Sequence, residues 1–117
     1  MFKYSAFSKY KAQKTIIDGI EFDSKKEAKR YIELRYLEKI GQIRNLQRQV
    51  PFLLQEGFVN NKGKKIREIN YIADFCYTQD GVKIVEDVKS PATKTPVYKI
   101  KKKMFEYRYP EYKFIES

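Results

Sequence analysis

The chain has 117 residues, a formal net charge of +10, 42% hydrophobic and 15% aromatic residues, and no histidine. That length suits one domain with a modest core, and the apolar content argues for a folded chain despite 34% charged residues. Without histidine there is no Ser-His-Asp or Cys-His catalysis, no histidine-ligated zinc and no histidine general base. Hydrolytic chemistry would have to come from carboxylates, lysine, tyrosine and an oxygen-liganded metal such as Mg²⁺.

Residues 1–17 read as a loosely ordered basic arm, in which Lys3, Lys9, Lys11 and Lys14 precede the first acid, Asp18. No apolar signal core opens the chain, and no stretch approaches the roughly 18 apolar residues of a membrane span. The single Cys76 cannot form an internal disulfide, so a cytoplasmic, reducing compartment is expected. Asp18-Gly19 is a turn signal, and Ile20-Glu21-Phe22 alternates like a short strand. Ser24 with Glu27 three residues on forms a capping box. Ala28, Tyr31, Ile32, Leu34, Tyr36, Leu37 and Ile40 then mark a helix ending near Gly41.

Ile43 to Gln55 reads as a strand with Val50, Phe52 and Leu54 on one face, and Pro51 suggests an edge position or a bulge. Asn60 to Lys64 is a hairpin loop. Ile66 to Thr78 is the next strand, Gln79-Asp80-Gly81 a turn, and Val82 to Lys89 a third strand. Thr95 caps a second helix with Pro96 at its first position. Its expected apolar stripe is Val97, Ile100, Met104, Phe105 and Tyr107. Pro110 stops it, and Tyr112 to Ile115 forms a last strand. The expected order is α-β-β-β-α-β, an α/β (α+β) fold in which an antiparallel meander is joined by the last strand into a mixed sheet.

Strand alternation predicts that Tyr71, Ala73, Phe75 and Tyr77 share one face, leaving Asp74 between Ile72 and Cys76 on the other. On the next strand it puts Val85, Asp87 and Lys89 on one face, with Ile84, Glu86 and Val88 opposite. A carboxylate on an apolar strand is costly unless it is paired or binds a cation. The hairpin lets Asp74 and Asp87 approach, and two facing carboxylates repel unless a cation lies between them. Mg²⁺ takes one or two carboxylates plus water and phosphate. It would lower the pKa of bound water and polarise a phosphodiester, with Lys89 orienting water or stabilising the developing charge. An ion pair of either aspartate with Lys89 or Arg67 accounts for the same letters. Glu27 is either a helix cap or a third metal-shell carboxylate presented by the first helix. Glu86 faces away from Asp87, Gln47 and Gln49 are edge groups or site contacts, and Cys76 is a small buried residue.

The charge points to a polyanion. Lys9, Lys11 and Lys14 on the arm, and Lys99, Lys101, Lys102 and Lys103 on the second helix, are the candidate nucleic-acid contacts. Tyrosines interleaved with them can stack on bases. A solvated basic face is the plainer reading of the second cluster.

SKKEAKRY on the first helix, YIADF and EDVK, in that order and followed by a helix, resemble the PD-(D/E)XK nuclease superfamily. The likeness extends to its small phage-encoded endonucleases, including relatives of Holliday-junction resolvases, and spans about residues 15–117. It implies a restriction-endonuclease-like core within a single domain, residues 1–117. It further implies Mg²⁺ or Mn²⁺ held by Asp74, Asp87 and the Val88 carbonyl, a catalytic Lys89, and Glu27 as the helix carboxylate. Ala73 stands where the superfamily motif has proline. The implied activity is phosphodiester hydrolysis on DNA, branched or double-stranded, in phage recombination or replication within a bacterial host cytoplasm. A homodimer would suit paired cuts on a two-fold symmetric junction. A non-catalytic accessory protein that binds nucleic acid with the same fold is the alternative.

Overall fold

The computed structural model describes residues 14–117. Of the expected arm, Lys9 and Lys11 lie outside the described residues. Its end is not loose: Thr15–Ile17 forms β1, which pairs antiparallel with β2, Ile20–Phe22. Asp18 and Gly19 join them with φ of 53° and 75°, the left-handed pair that a two-residue hairpin of this twist requires.

Helix α1 spans Lys25–Lys39, and Ser24 Oγ accepts the Glu27 amide at 3.0 Å. Only half of the expected box forms, because the Glu27 carboxylate turns to Gln49 instead (3.4 Å from Nε2). Ala28, Tyr31 and Leu34 are its buried face, while Ile32, Tyr36 and Ile40 remain exposed. Gly41, at φ 82°, ends the helix as its amide and that of Gln42 turn back to the carbonyls of Glu38 and Leu37.

Strand β3, Arg44–Gln55, is an edge strand, which is where Pro51 costs no ladder hydrogen bond. The chain then leaves the sheet for a separate two-stranded ribbon, β4 (Phe58–Val59) and β5 (Lys65–Ile66). The strand expected from Ile66 to Thr78 is therefore interrupted at Arg67-Glu68, and β6 runs Ile69–Gln79. After the Asp80-Gly81 turn, β7 spans Val82–Asp87, two residues shorter than expected. Helix α2, Pro96–Arg108, starts where Thr95 accepts the Tyr98 amide at 3.1 Å. β8, Lys113–Glu116, returns parallel to β7. The result is an α+β fold around a mixed sheet of order β3-β6-β7-β8, flanked by the two helices.

Each face of the sheet has its own core. Phe22, Ala28, Tyr31, Leu34, Ile43, Phe75, Tyr77 and Ile84 pack on the α1 side. Phe52, Leu54, Tyr71, Ala73, Cys76, Val85, Tyr98 and Phe105 pack on the α2 side. The buried stripe of α2 is offset from the expected one. Tyr98 and Phe105 point inward with Met104 half-buried, while Val97, Ile100 and Tyr107 face solvent. Tyr98 and Phe105 are two turns apart on one face, and their rings bury more apolar area than Val97 and Ile100 could.

One expectation about the sheet is corrected. Tyr71 and Ala73 do not share a face with Phe75 and Tyr77; the first pair joins the α2 core and the second the α1 core. Ile72 and Cys76 are separated likewise, Ile72 exposed and Cys76 buried. The partner strand reverses at the same place. Leu46 packs on the α1 side and Val50, Phe52 and Leu54 on the α2 side. The reversal falls between the pairs Arg48↔Phe75 and Val50↔Ala73, where Gln49 adopts φ 51°. A left-handed residue breaks the period-two alternation. Asp74 lies across from it, at the point where β6 passes from one core to the other.

Candidate active site

On β7 the expected alternation holds, and it exposes the end of the strand to three neighbours. The register that pairs Phe75 with Glu86 brings Asp74 beside Asp87. The Asp74 carboxyl is close enough to raise that of Asp87. Asp74 Oδ2 also accepts the Val88 amide at 2.9 Å, which ties β6 to the segment leading to Lys89. Lys89 Nζ lies 3.7 Å from Asp87 Oδ1 and 4.4 Å from the centre of the Tyr98 ring, with 21% of its side chain exposed. The main chain here is held too. Lys89 N donates to Ser117 O, Ser117 N to Asp87 O, and Lys26 Nζ to Lys89 O at 2.7 Å.

Asp87 is buried, and Tyr71 Oη donates to its Oδ2 at 2.6 Å. Burial first, and then the neighbouring Asp74, push the Asp87 carboxyl up to about 7. The Tyr71 hydrogen bond and Lys89 oppose that rise without cancelling it. Burial and then Asp87 push the Tyr71 hydroxyl far up, so it stays protonated and remains the donor. Glu27 enters from α1 between Gln49 and Arg48, whose Nη2 is 3.9 Å from its Oε2. Burial, then Asp74, raise the Glu27 carboxyl above its ordinary value. Three acids from three elements, Glu27, Asp74 and Asp87, therefore feel one another, with Asp74 in the middle.

These residues suit a hard divalent cation. The donors are oxygens, and the two facing carboxylates cannot both ionise cheaply without positive charge between them. Among the described residues no three His, Cys, Asp or Glu side chains close into one metal-sized group. The two aspartates are the convergent pair, and Glu27 stands one step back across Asp74.

Glu86, the adjacent residue, is fully buried on the other face and is absorbed by a different set of partners. Arg30 grips it with two bonds, Nε to Oε2 at 2.5 Å and Nη2 to Oε1 at 3.0 Å, and Tyr77 Oη donates to Oε1. Burial pushes the Glu86 carboxyl up, but Arg30, Ser117 and Tyr77 together hold it below the usual range.

The expected basic contacts separate. Lys14 is exposed and 3.6 Å from Glu21. On α2, Lys99 and Lys103 face solvent, whereas Lys101 and Lys102 are half-buried, Lys102 over the Phe114 ring and 4.0 Å from Glu106. Gln47 is exposed on β3, and only Gln49 reaches the acids. Cys76 is buried, and burial pushes its thiol up to about 12, which leaves it an inert core residue. Sequence reasoning missed Arg48, Tyr71 and Tyr98 as neighbours of the site. Arg48 lies over Phe22 at 4.5 Å, and its Nε is buried with no hydrogen-bond partner among the described residues. Tyr71 carried a signal, since a tyrosine three residues before a strand acid can reach the next strand; Arg48 carried none.

The family model described as "Protein of unknown function (DUF1064)" matches residues 7–116. No curated protein and no solved structure matches the chain. Among the described residues no helix is long and apolar enough to cross a membrane.

Proposed function

The chain belongs to the DUF1064 family, and from its own residues we propose that it is a metal-dependent endodeoxyribonuclease with a restriction-endonuclease-like core of the PD-(D/E)XK type. The observation that carries this reading is the Asp74–Asp87 pair, with Asp87 pushed up to about 7 and Lys89 Nζ 3.7 Å away. Burial is the largest cause of that rise; the part that an ion pair with Lys89 alone would not supply is the second carboxylate, Asp74, which raises Asp87 further. The excess of negative charge is the feature that a divalent cation would complete.

Asp74, Asp87 and the Val88 carbonyl would hold Mg²⁺ or Mn²⁺, which supplies a bound water of lowered pKa and polarises the scissile phosphate. The chain's own groups do the rest. Lys89, held over Tyr98, faces the oxygens on which charge develops as water attacks phosphorus in line. One P–O bond forms and the bond to the leaving oxygen breaks. Glu27, already raised by burial and Asp74, is an acceptor for a proton at the rim, oriented by Gln49. Tyr71 keeps Asp87 in place by its hydrogen bond.

The substrate class is DNA. The net charge of +10, with Lys99 and Lys103 free to meet phosphates, supports it. Branched DNA of a phage recombination or replication intermediate, cut in pairs by a homodimer in the host cytoplasm, is the preferred form of that substrate. The test is cleavage of linear, flapped and four-way DNA in Mg²⁺ or EDTA by the wild-type chain and by Lys89→Ala. Mg²⁺-dependent cutting that the variant loses is expected. Binding without cutting on every substrate would leave a nucleic-acid-binding accessory protein instead.

A further inference from the structure

The β4–β5 ribbon has no part in the site, yet it is basic and solvent-exposed. Lys62, Lys64, Lys65 and Arg67 are all exposed, against Glu56 and Glu68 at its base. None of the four cations enters an ion pair among the described residues. Phe58 and Val59 on the same ribbon are 50% and 61% exposed, so no core accounts for them.

The ribbon is nevertheless built. Asn60 N donates to Lys64 O at 2.9 Å and Gly63 N to Asn60 O at 3.0 Å. Asn60 Oδ1 accepts the amides of both Lys62 and Lys64, at 2.9 and 3.0 Å. Gly63 adopts φ 79° at the tip. At the base, a Cβ on Gly57 would lie 3.0 Å from the Ile66 carbonyl oxygen, so glycine lets the two strands close. Charge with no internal partner on an ordered ribbon is available to another molecule.

We propose that the β4–β5 ribbon docks in the major groove of duplex DNA next to the Asp74–Asp87 site, with Lys62, Lys64, Lys65 and Arg67 on the phosphates of the groove walls. A B-DNA major groove, about 12 Å wide, admits a two-stranded ribbon, and because neighbouring strand residues alternate faces, one of the exposed Phe58 and Val59 can meet thymine methyls there. The reach is right. Five residues of β6 separate Asp74 from Ile69, roughly 17 Å of strand, and the six residues from Ile69 back to Gly63 at the tip add at most about 20 Å more. Its tip therefore falls no farther than about 37 Å from the site, close to one turn of B-DNA. This inference deepens the nuclease reading and rests on it for the position of the site on the DNA; the groove contact itself is a binding property.

The test uses the full chain in EDTA, so that binding is read without cutting. A 20-base-pair DNA duplex, an RNA duplex of the same sequence and the corresponding single strand are titrated with wild type and with Lys62→Ala/Lys64→Ala/Lys65→Ala/Arg67→Ala across a salt series. The variant is expected to bind the DNA duplex at least about tenfold more weakly, with a log–log salt slope shallower by about 3. Wild type is expected to bind the RNA duplex more weakly than the DNA duplex, because an A-form major groove is too narrow for the ribbon. Equal affinity and slope in wild type and variant overturn the proposal, as does tighter binding to the RNA duplex or the single strand. Ribbon-dependent binding in EDTA without cleavage in Mg²⁺ would remove the nuclease and keep the ribbon contact. Cleavage with an unaffected four-cation variant would do the reverse.

Discussion

Glu86 and Asp87 are consecutive acids on one strand, both buried, each bonded to a tyrosine of β6, and they end in opposite states. Glu86 faces α1 and meets the Arg30 guanidinium, so its charge is neutralised in place. Asp87 faces α2, where burial and then Asp74 outweigh Lys89 and Tyr71, so its carboxyl holds its proton up to about 7. The difference teaches that burial alone does not mark a functional acid. The two differ in their partner sets: a cation offsets burial at Glu86, whereas a second carboxylate adds to it at Asp87.

The comparison breaks most visibly at Arg30. Arg30→Ala would leave Glu86 buried and unpaired, and a loss of roughly 3–5 kcal/mol in unfolding free energy is expected from urea titration. A loss below about 1 kcal/mol would mean that the Arg30–Glu86 pair does not fasten α1 to β7. Asp87→Asn should do the contrary: stability in metal-free buffer at pH 8 holds or rises, while Mg²⁺-dependent cleavage falls by at least about 10³-fold.

pH separates the two acids by sign. Glu86, held below the ordinary range, adds stability that is present at neutral pH and is lost as pH falls through its folded pKa. Asp87, with a folded value of about 7 against 3.8 in the unfolded chain, does the opposite. The folded state holds that proton more tightly, so the fold is favoured at low pH and loses roughly 2–4 kcal/mol as pH rises from about 4 through 7. Metal-free melting temperature should therefore decline between pH 5 and pH 8. Asp87→Asn should flatten the decline, and added Mg²⁺ should too. A wild-type curve that rises across that interval would contradict the assignment.

A smaller effect sharpens the contrast. Tyr71→Phe removes a hydrogen bond that favours ionised Asp87, so the carboxyl should titrate still higher and about 1 kcal/mol of stability should be lost at pH 8. Tyr77→Phe leaves Arg30 on Glu86, and the Glu86 titration should shift less than that of Asp87 does in Tyr71→Phe. Equal shifts in the two variants would mean that the tyrosines, and not the cations, set the difference.

Much of this was legible in the chain. Ser24, Gly41, Thr95-Pro96 and Asp80-Gly81 announce their element ends by local chemistry, and those ends are observed. The mixed sheet follows from a meander plus a strand returning after a helix. Asp74, Asp87 and Lys89 could be paired on paper because a hairpin joins their strands. What was not legible depends on long-range geometry. Alternation is a local rule, and it could not foresee that a left-handed Gln49 reverses both strands at Asp74. Nor could it foresee that Arg30, 56 residues away, claims Glu86. The offset of the α2 stripe arises because Phe105 finds aromatic partners in Phe52 and Tyr71 of the sheet and Tyr98 takes Lys89 over its ring, which helical spacing alone does not reveal.

A ¹³C-carboxyl NMR titration of Asp87 and Glu86 with and without Mg²⁺ tests whether Asp87, protonated to near neutral pH by burial and Asp74, gives up its proton to a divalent cation. Metal-free Asp87 is expected to titrate near 7 and to move well below its unfolded value of 3.8 when Mg²⁺ is added, while Glu86 titrates low in both. An Asp87 that titrates near 4 without metal, or one that ignores Mg²⁺, would contradict that expectation.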